Sequence, residues 1–179
     1  MPKAWASHSG YARAKFSDGW GRANVQGHSC DLRNIILMRD LKKITRKSYD
    51  WCLVATGTLS DPYTGKLIPF VRGVKTSNAV QIDHVVALSN AWSTGAQSIT
   101  ATARYQFAND PLNLLAVDGP TNGSKSDRDA ANFLPRVAYR CKYVARQLSV
   151  KRKYHLWVTS AEKAAMLRVL NTCPTQTLP

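Results

Sequence analysis

The sequence predicts an α+β domain. Short runs of β-branched and apolar residues at 51–60, 66–71 and 80–84 read as strands, whereas the apolar spacing of the last third follows the helical period. No internal repeat or linker breaks the 179 residues, so one domain is expected over 1–179, with 1–10 and 174–179 as loose termini. A chain of this length can bury a real core. Its 44% hydrophobic residues fit a folded protein and exclude a disordered one.

In chain order, Trp5, Tyr11, Phe16 and Trp20 lie in a segment rich in Gly and Ser, with a helical turn or two at 11–16 ended by Asp18-Gly19. Their expected role is packing; interleaved with Arg13, Lys15 and Arg22, they could also stack bases. Residues 31–47 read as a helix capped by Asp31, with Leu32, Ile35, Ile36 and Leu41 as its apolar stripe and six Lys or Arg elsewhere. Next comes a hairpin: a strand at 51–60, a turn at Asp61-Pro62-Tyr63-Thr64-Gly65, and a return strand at 66–71. A third strand at 80–84 leads into helices at 85–96 and 101–107, the second stopped before Asp110-Pro111. A strand at 112–117 and a turn at Asp118-Gly119-Pro120 precede a helix opened by Thr121 or Asn122, and 129–133 continues helically to Pro135. Helices at 137–149 and 160–170, the latter capped by Ser160, complete the chain.

Lys and Arg number 25 against 11 Asp and Glu, a net charge of +14, and the isoelectric point is near 10.0. Such an excess favours a polyanion, nucleic acid before an anionic cell surface, although it also serves solubility. Four cysteines, Cys30, Cys52, Cys141 and Cys173, form no C-x-x-C pair, which speaks against a zinc knuckle. Three disulfide pairings are open, and sequence order favours Cys30–Cys52 with Cys141–Cys173 in an oxidising compartment. The alternative is four reduced, buried thiols in a cytoplasmic protein. No apolar run approaches the ~20 residues of a membrane span. The opening Met1-Pro2-Lys3-Ala4-Trp5 lacks a signal peptide's apolar region. Either the protein is not exported by that route, or this is a mature form with an added Met.

One stretch, Gln81-Ile82-Asp83-His84-Val85, sets an acid beside a histidine. Adjacent strand residues point to opposite faces, so the pair can share a site only where the strand ends. Phosphodiester hydrolysis needs a base for water and a cation for the phosphoryl charge and the leaving 3′ oxygen. Asp83 suits the metal and His84 the water. Asn113 can accept from backbone or hold the histidine ring. Nine residues on, Asn122 offers a carbonyl oxygen to the metal, and Lys125, a turn later, can meet phosphate. His8, His28 and His155 have no such company and read as surface or packing residues.

The order Asp83-His84, Asn113-Leu114-Leu115, Asn122-x-x-Lys125 resembles the HNH nuclease motif of the His-Me finger, or ββα-metal, superfamily, with Asn122 where many members have His. Together with Asp61-Pro62-Tyr63-Thr64-Gly65, the run 107–114 and Asn132-Phe133-Leu134-Pro135, it resembles the GmrSD-type C-terminal HNH family over roughly residues 11–170. That family is found in secreted proteins, on phages and in restriction enzymes. The resemblance implies a ββα-metal core elaborated with additional helices. It implies His84 as general base, Asp83 and Asn122 as metal ligands, Asn113 as the residue that orients the histidine or its loop, and Lys125 as a phosphate contact. Arg33, Arg39 and Asp40 resemble a further family block, in which Asp40 holds an arginine or an arginine reaches phosphate. Arg33, Arg39, Lys66, Arg104 and Arg128 are the expected nucleic-acid contacts. The expected metal is Mg²⁺, with Mn²⁺ as the substitute that oxygen ligands also suit. The expected substrate is DNA, with RNA as the second choice. The expected location is extracellular, with cytoplasmic or phage-encoded proteins as the alternative. Two further readings remain: a nuclease toxin with an immunity partner, and a nucleic-acid-binding module without catalysis.

Overall fold

Gln26 and Gly27 both take positive φ, 51° and 84°, the backbone of a tight hairpin turn whose twist matches its strands. They join β1 (Arg22–Val25) to β2 (His28–Asp31). Most of this hairpin is exposed, so apolar alternation does not mark it in the sequence. The computed structural model describes residues 2–179. The first ten residues, expected to be loose, are tied down where described. The Ala6 N–H donates to Ser93 O at 2.9 Å, and the Trp157 indole donates to Ala4 O at 3.1 Å.

Asp31 caps α1 (Leu32–Asp40) as expected, its carboxylate accepting from the Asn34 N–H at 2.8 Å. The helix stops at Asp40, and residues expected to prolong it form β3 (Leu41–Lys47) instead. The long strand β4 (Asp50–Ser60) offers these residues a backbone partner, and Ile44 and Thr45 are β-branched. The cations of 42–47 thus lie on an outer strand, where charge blunts edge pairing. β4 pairs on its other side with β5 (Leu67–Val71), as the hairpin reading requires. Asp61 holds the turn by accepting from the Thr64 N–H at 2.7 Å and its hydroxyl at 2.6 Å.

β6 (Val80–His84) pairs antiparallel with β7 (Leu114–Asp118), setting Asp83 opposite Leu115 and His84 opposite Leu114. Successive side chains of β7 enter different cores. Leu114 and Ala116 join α1, β4 and β5, while Leu115 and Val117 join Tyr63, Tyr143 and Met166. A two-stranded ribbon therefore separates two apolar clusters, which is why β7 reads as a continuous apolar run.

α2 (Leu88–Ser93) is shorter than the expected helix, because residues 85–87 form a bend whose Val85 and Val86 N–H groups donate to Asn113. α3 (Ala101–Ala108) follows its Thr100 cap. α4 (Gly119–Lys125) begins earlier than expected, capped by Asp118, which accepts from the Thr121 N–H at 2.9 Å. Residues 129–133 make one turn, not a continued helix; Asp129 caps it by accepting from the Ala131 N–H at 2.9 Å. α5 (Arg140–Lys153) runs four residues beyond 149, and α6 (Ser160–Leu170) is capped by Thr159 rather than Ser160, through a 3.1 Å bond from the Glu162 N–H. Disulfides join Cys30 to Cys52 and Cys141 to Cys173, the pairing that sequence order favoured. The result is an α+β fold of three small sheets and six α-helices among the described residues.

Candidate active site

β6 ends at His84, so its last two side chains reach one cleft although strand neighbours normally diverge. The Asp83 carboxylate is buried. Its Oδ2 accepts from the Tyr63 hydroxyl at 2.5 Å and its Oδ1 from the Lys125 ammonium at 2.9 Å. Burial pushes its pKa above the ordinary carboxylate value, opposed by the charge of Lys125. Burial likewise raises the Tyr63 phenol well above its usual range, with the Asp83 charge adding to it. Tyr63 comes from the turn between β4 and β5, and Lys125 from the last turn of α4.

His84 Nε2 lies 2.8 Å from the Ala108 carbonyl oxygen. A carbonyl only accepts, so Nε2 carries the proton and Nδ1 keeps its lone pair. Burial pushes the ring's pKa down to about 4, which keeps the imidazole neutral at pH 7. Trp20 stacks on the ring at 5.9 Å with 9° between planes. The histidine is thus held by one hydrogen bond and one flat aromatic face.

Asn113 is fully buried and makes no hydrogen bond to the ring among the described residues. Its Oδ1 accepts from the Val86 N–H at 2.8 Å and its Nδ2 donates to Val86 O at 3.2 Å, while its own carbonyl accepts from the Val85 N–H. These three bonds tie Asn113 to the backbone that follows His84. Arg39 and Arg146 hold the loop that carries it, both donating to the carbonyls of Pro111 and Leu114.

Asn122 stands on α4 beside β6, and its Nδ2 donates to Gln81 Oε1 at 2.9 Å. That bond orients the side chain and leaves Oδ1 without a protein donor among the described residues. The start of the helix can approach the turn before β6 because Gly119 has no Cβ, which would collide with the Asn78 carbonyl oxygen. Asp83, His84 and Asn122 line one cleft of about 460 Å³, together with His8, Tyr11 and Arg13. A larger cavity of about 620 Å³, lined by Tyr105, Asn109 and Tyr154, holds none of these residues, and chemistry rather than size selects the smaller cleft.

The basic residues divide differently from the expectation. Lys125 is wholly buried against Asp83 and His84 O, so it does not face phosphate. Arg33 donates to the carbonyls of Ser77 and Val80, and Arg39 pairs with Asp40 at 2.6 Å while gripping the 111–114 loop. Arg104 donates to the carbonyls of Lys15, Ala96 and Ile99. Backbone carbonyls consume all three guanidinium groups, which the sequence cannot show. Lys66 and Arg128 are exposed; Arg128 lines a smaller cavity that shares His8, Ser89 and Asp127 with the cleft, whereas Lys66 lies outside it.

Other cleft residues escaped sequence reasoning. Arg13 is exposed, makes no side-chain hydrogen bond among the described residues, and its charge helps depress the His84 pKa after burial. His8 bonds Ser89 Oγ at 2.8 Å, and Ser89 donates to Asp127 at 2.9 Å. Only tertiary structure unites positions so far apart in the chain. Tyr63 had a visible signal, since it sits in the Asp61–Gly65 turn, but nothing there names Asp83 as its partner.

Asp83 and Asn122 together supply a carboxylate and an amide oxygen. Asp83 retains lone pairs beyond those taken by Tyr63 and Lys125. This all-oxygen pair fits a hard dication that keeps waters and substrate phosphate as its other ligands. No cluster of three or more His, Cys, Asp or Glu suited to a metal occurs among the described residues.

A buried acid and a neutral histidine share one cleft on a strongly basic α+β chain, and the family to which the chain belongs is one of nucleases. Residues 31–169 match the GmrSD restriction endonucleases, C-terminal domain, and the chain belongs to that family, whose substrate class is nucleic acid. It is also 38% identical over 167 residues to a protein of Arthroderma benhamiae named "Uncharacterized secreted protein", a match covering 92% of this chain and 76% of the relative.

Proposed function

We propose that the chain is a secreted HNH endonuclease that hydrolyses phosphodiester bonds of DNA with one divalent metal, Mg²⁺ or Mn²⁺, held by Asp83 and Asn122. The observation that carries this reading is the tautomer of His84: the Ala108 carbonyl occupies Nε2–H, so Nδ1 keeps its lone pair on a neutral ring that lines the cleft. His84 accepts a proton from water at Nδ1 as the water oxygen attacks phosphorus, and its bond to Ala108 steadies the imidazolium that forms. The bond from phosphorus to the 3′ oxygen breaks, and that oxygen takes a proton from solvent. A dication at Asp83 and Asn122 would neutralise charge on the phosphoryl group and the leaving oxygen. Arg13 meets the phosphate at the cleft mouth, Lys125 and Tyr63 hold the Asp83 carboxylate, and Asn113 holds the backbone after His84. Two disulfides and the relative's name support the extracellular assignment.

The test is cleavage of plasmid DNA and of RNA in Mg²⁺, with EDTA and His84→Ala as controls. Expected is DNA cleavage that EDTA abolishes and that the variant lowers roughly 10²–10⁴-fold. Equal cleavage by wild type and variant sinks the assignment of the base, and RNA cleaved in preference to plasmid sinks the choice of DNA.

A further inference from the structure

The cleft itself is lined by one cation, Arg13, against Asp83 and Asp127, and much of the charge excess lies elsewhere. Within the seven residues of β3 stand Lys42, Lys43, Arg46 and Lys47. The first three are exposed and Lys47 is partly buried. None of the four joins an ion pair among the described residues. Asp50, opposite Lys47 in the register, accepts from the Cys52 N–H at 2.8 Å instead. A bulge interrupts the pairing between Lys42 and Thr45, with Lys43 at φ 50°. The bulge breaks the alternation that would send neighbouring side chains to opposite faces, so both lysines reach solvent.

Beside these cations lies an aromatic stack. The Arg46 guanidinium sits 4.3 Å from the Trp51 ring centre, and His28 stacks on that ring at 4.6 Å with 12° between planes. Tyr49, in the turn between β3 and β4, is 77% exposed. The Cys30–Cys52 disulfide bonds β2 to β4 and so joins the two hairpins into one unit. Trp20, flat against His84, leads directly into β1 of that unit. Unpaired like charges on one strand repel one another in the free protein, and a polyanion relieves that repulsion. Flat rings among cations are the chemistry that single bases and a phosphate backbone recognise.

We propose that the joined hairpins β1–β2 and β3–β4 form a nucleic-acid docking surface separate from the cleft. Lys42, Lys43, Arg46 and Lys47 neutralise backbone phosphates there, and the exposed Tyr49 ring lies against sugar or base, while Trp51, covered by Arg46 and His28, holds Arg46 in place. The choice of nucleic acid as the polyanion rests on the nuclease reading.

The test is anisotropy of a labelled DNA duplex in EDTA over a salt series. A variant with Lys42→Gln, Lys43→Gln, Arg46→Gln and Lys47→Gln is compared with one carrying Lys142→Gln, Arg152→Gln, Lys163→Gln and Arg168→Gln, exposed cations of α5 and α6. Each phosphate contact contributes about 0.9 to the slope of log K against log salt, so the β3 variant should lose about 3–4 from that slope and the helix variant under about 1. If both variants lose equally, the effect is overall charge and the surface is not a docking site. An unchanged slope in the β3 variant also overturns it. Should the fourfold variant misfold by circular dichroism, Lys42→Gln and Lys47→Gln singly are each expected to remove about 0.9, and no change in either overturns the proposal. A wild type that binds with these slopes but never cleaves removes the nuclease reading and leaves the docking surface standing. Cleavage with an unchanged β3 slope does the reverse.

Discussion

The Lys125 ammonium lies 2.9 Å from Asp83 Oδ1, with both side chains out of solvent. The same group donates to the His84 carbonyl at 2.9 Å. One cation from α4 thus fixes the end of β6 and the carboxylate beside the base, and its charge is neutralised inside the protein rather than offered to phosphate.

Lys125→Met should therefore cost stability. Removing one partner of a buried pair leaves the other charge unpaired, a loss of about 3–5 kcal/mol. Urea unfolding measures it. A loss under about 1 kcal/mol, the range of an exposed pair, contradicts the buried-pair account.

His84 predicts a pH dependence of stability in EDTA. Its folded pKa is lowered from 6.5 to about 4, so the unfolded chain binds the proton first. The stabilisation is present above pH 6.5 and is lost as pH falls through the window down to about 4, a total of about 3 kcal/mol. His84→Phe should flatten that segment of the stability curve. An unchanged acid slope in the variant means that another group titrates there.

Asn113→Leu removes both side-chain bonds to Val86 and leaves a buried N–H and C=O unpaired. The expected loss is about 3 kcal/mol, with weakened cleavage because the backbone after His84 loosens. Normal stability together with normal cleavage would remove the positioning role.

Cys141–Cys173 closes a loop of 32 residues between α5 and the segment after α6. Loop entropy gives it about 3–4 kcal/mol, so the double Cys→Ser variant should lose unfolding free energy by an amount in that range, read by urea unfolding. Non-reducing peptide mapping should find Cys30–Cys52 and Cys141–Cys173. Thiols open to alkylation in the native protein contradict both bonds.

Much of the site was legible because its spacing is local. Asp83-His84 at a strand end, Asn113 before an apolar run, and Asn122 with Lys125 on one helix follow from short-range pattern, and all five gather around β6 and β7. The β4–β5 hairpin was equally readable, because Pro62 and Gly65 punctuate two β-branched runs. The second half of 31–47 forms a strand and not the expected helix: the basic run there carries no period of its own, and β4 supplies the backbone partner that decides it.

The sequence by itself determined the fold class, the charge of the partner, and which residue types stand at the motif's spacing, since periodicity and composition are local properties. Only the tertiary structure decided what each cation does. Arg33, Arg39 and Arg104 are consumed by backbone carbonyls, Lys125 by Asp83, while Arg13 is left free at the cleft and Lys42, Lys43, Arg46 and Lys47 remain without an acidic partner. It also decided that His84 is neutral with its proton on Nε2. Burial and the Ala108 carbonyl impose that state, and both come from chain brought close by folding, not by sequence neighbourhood.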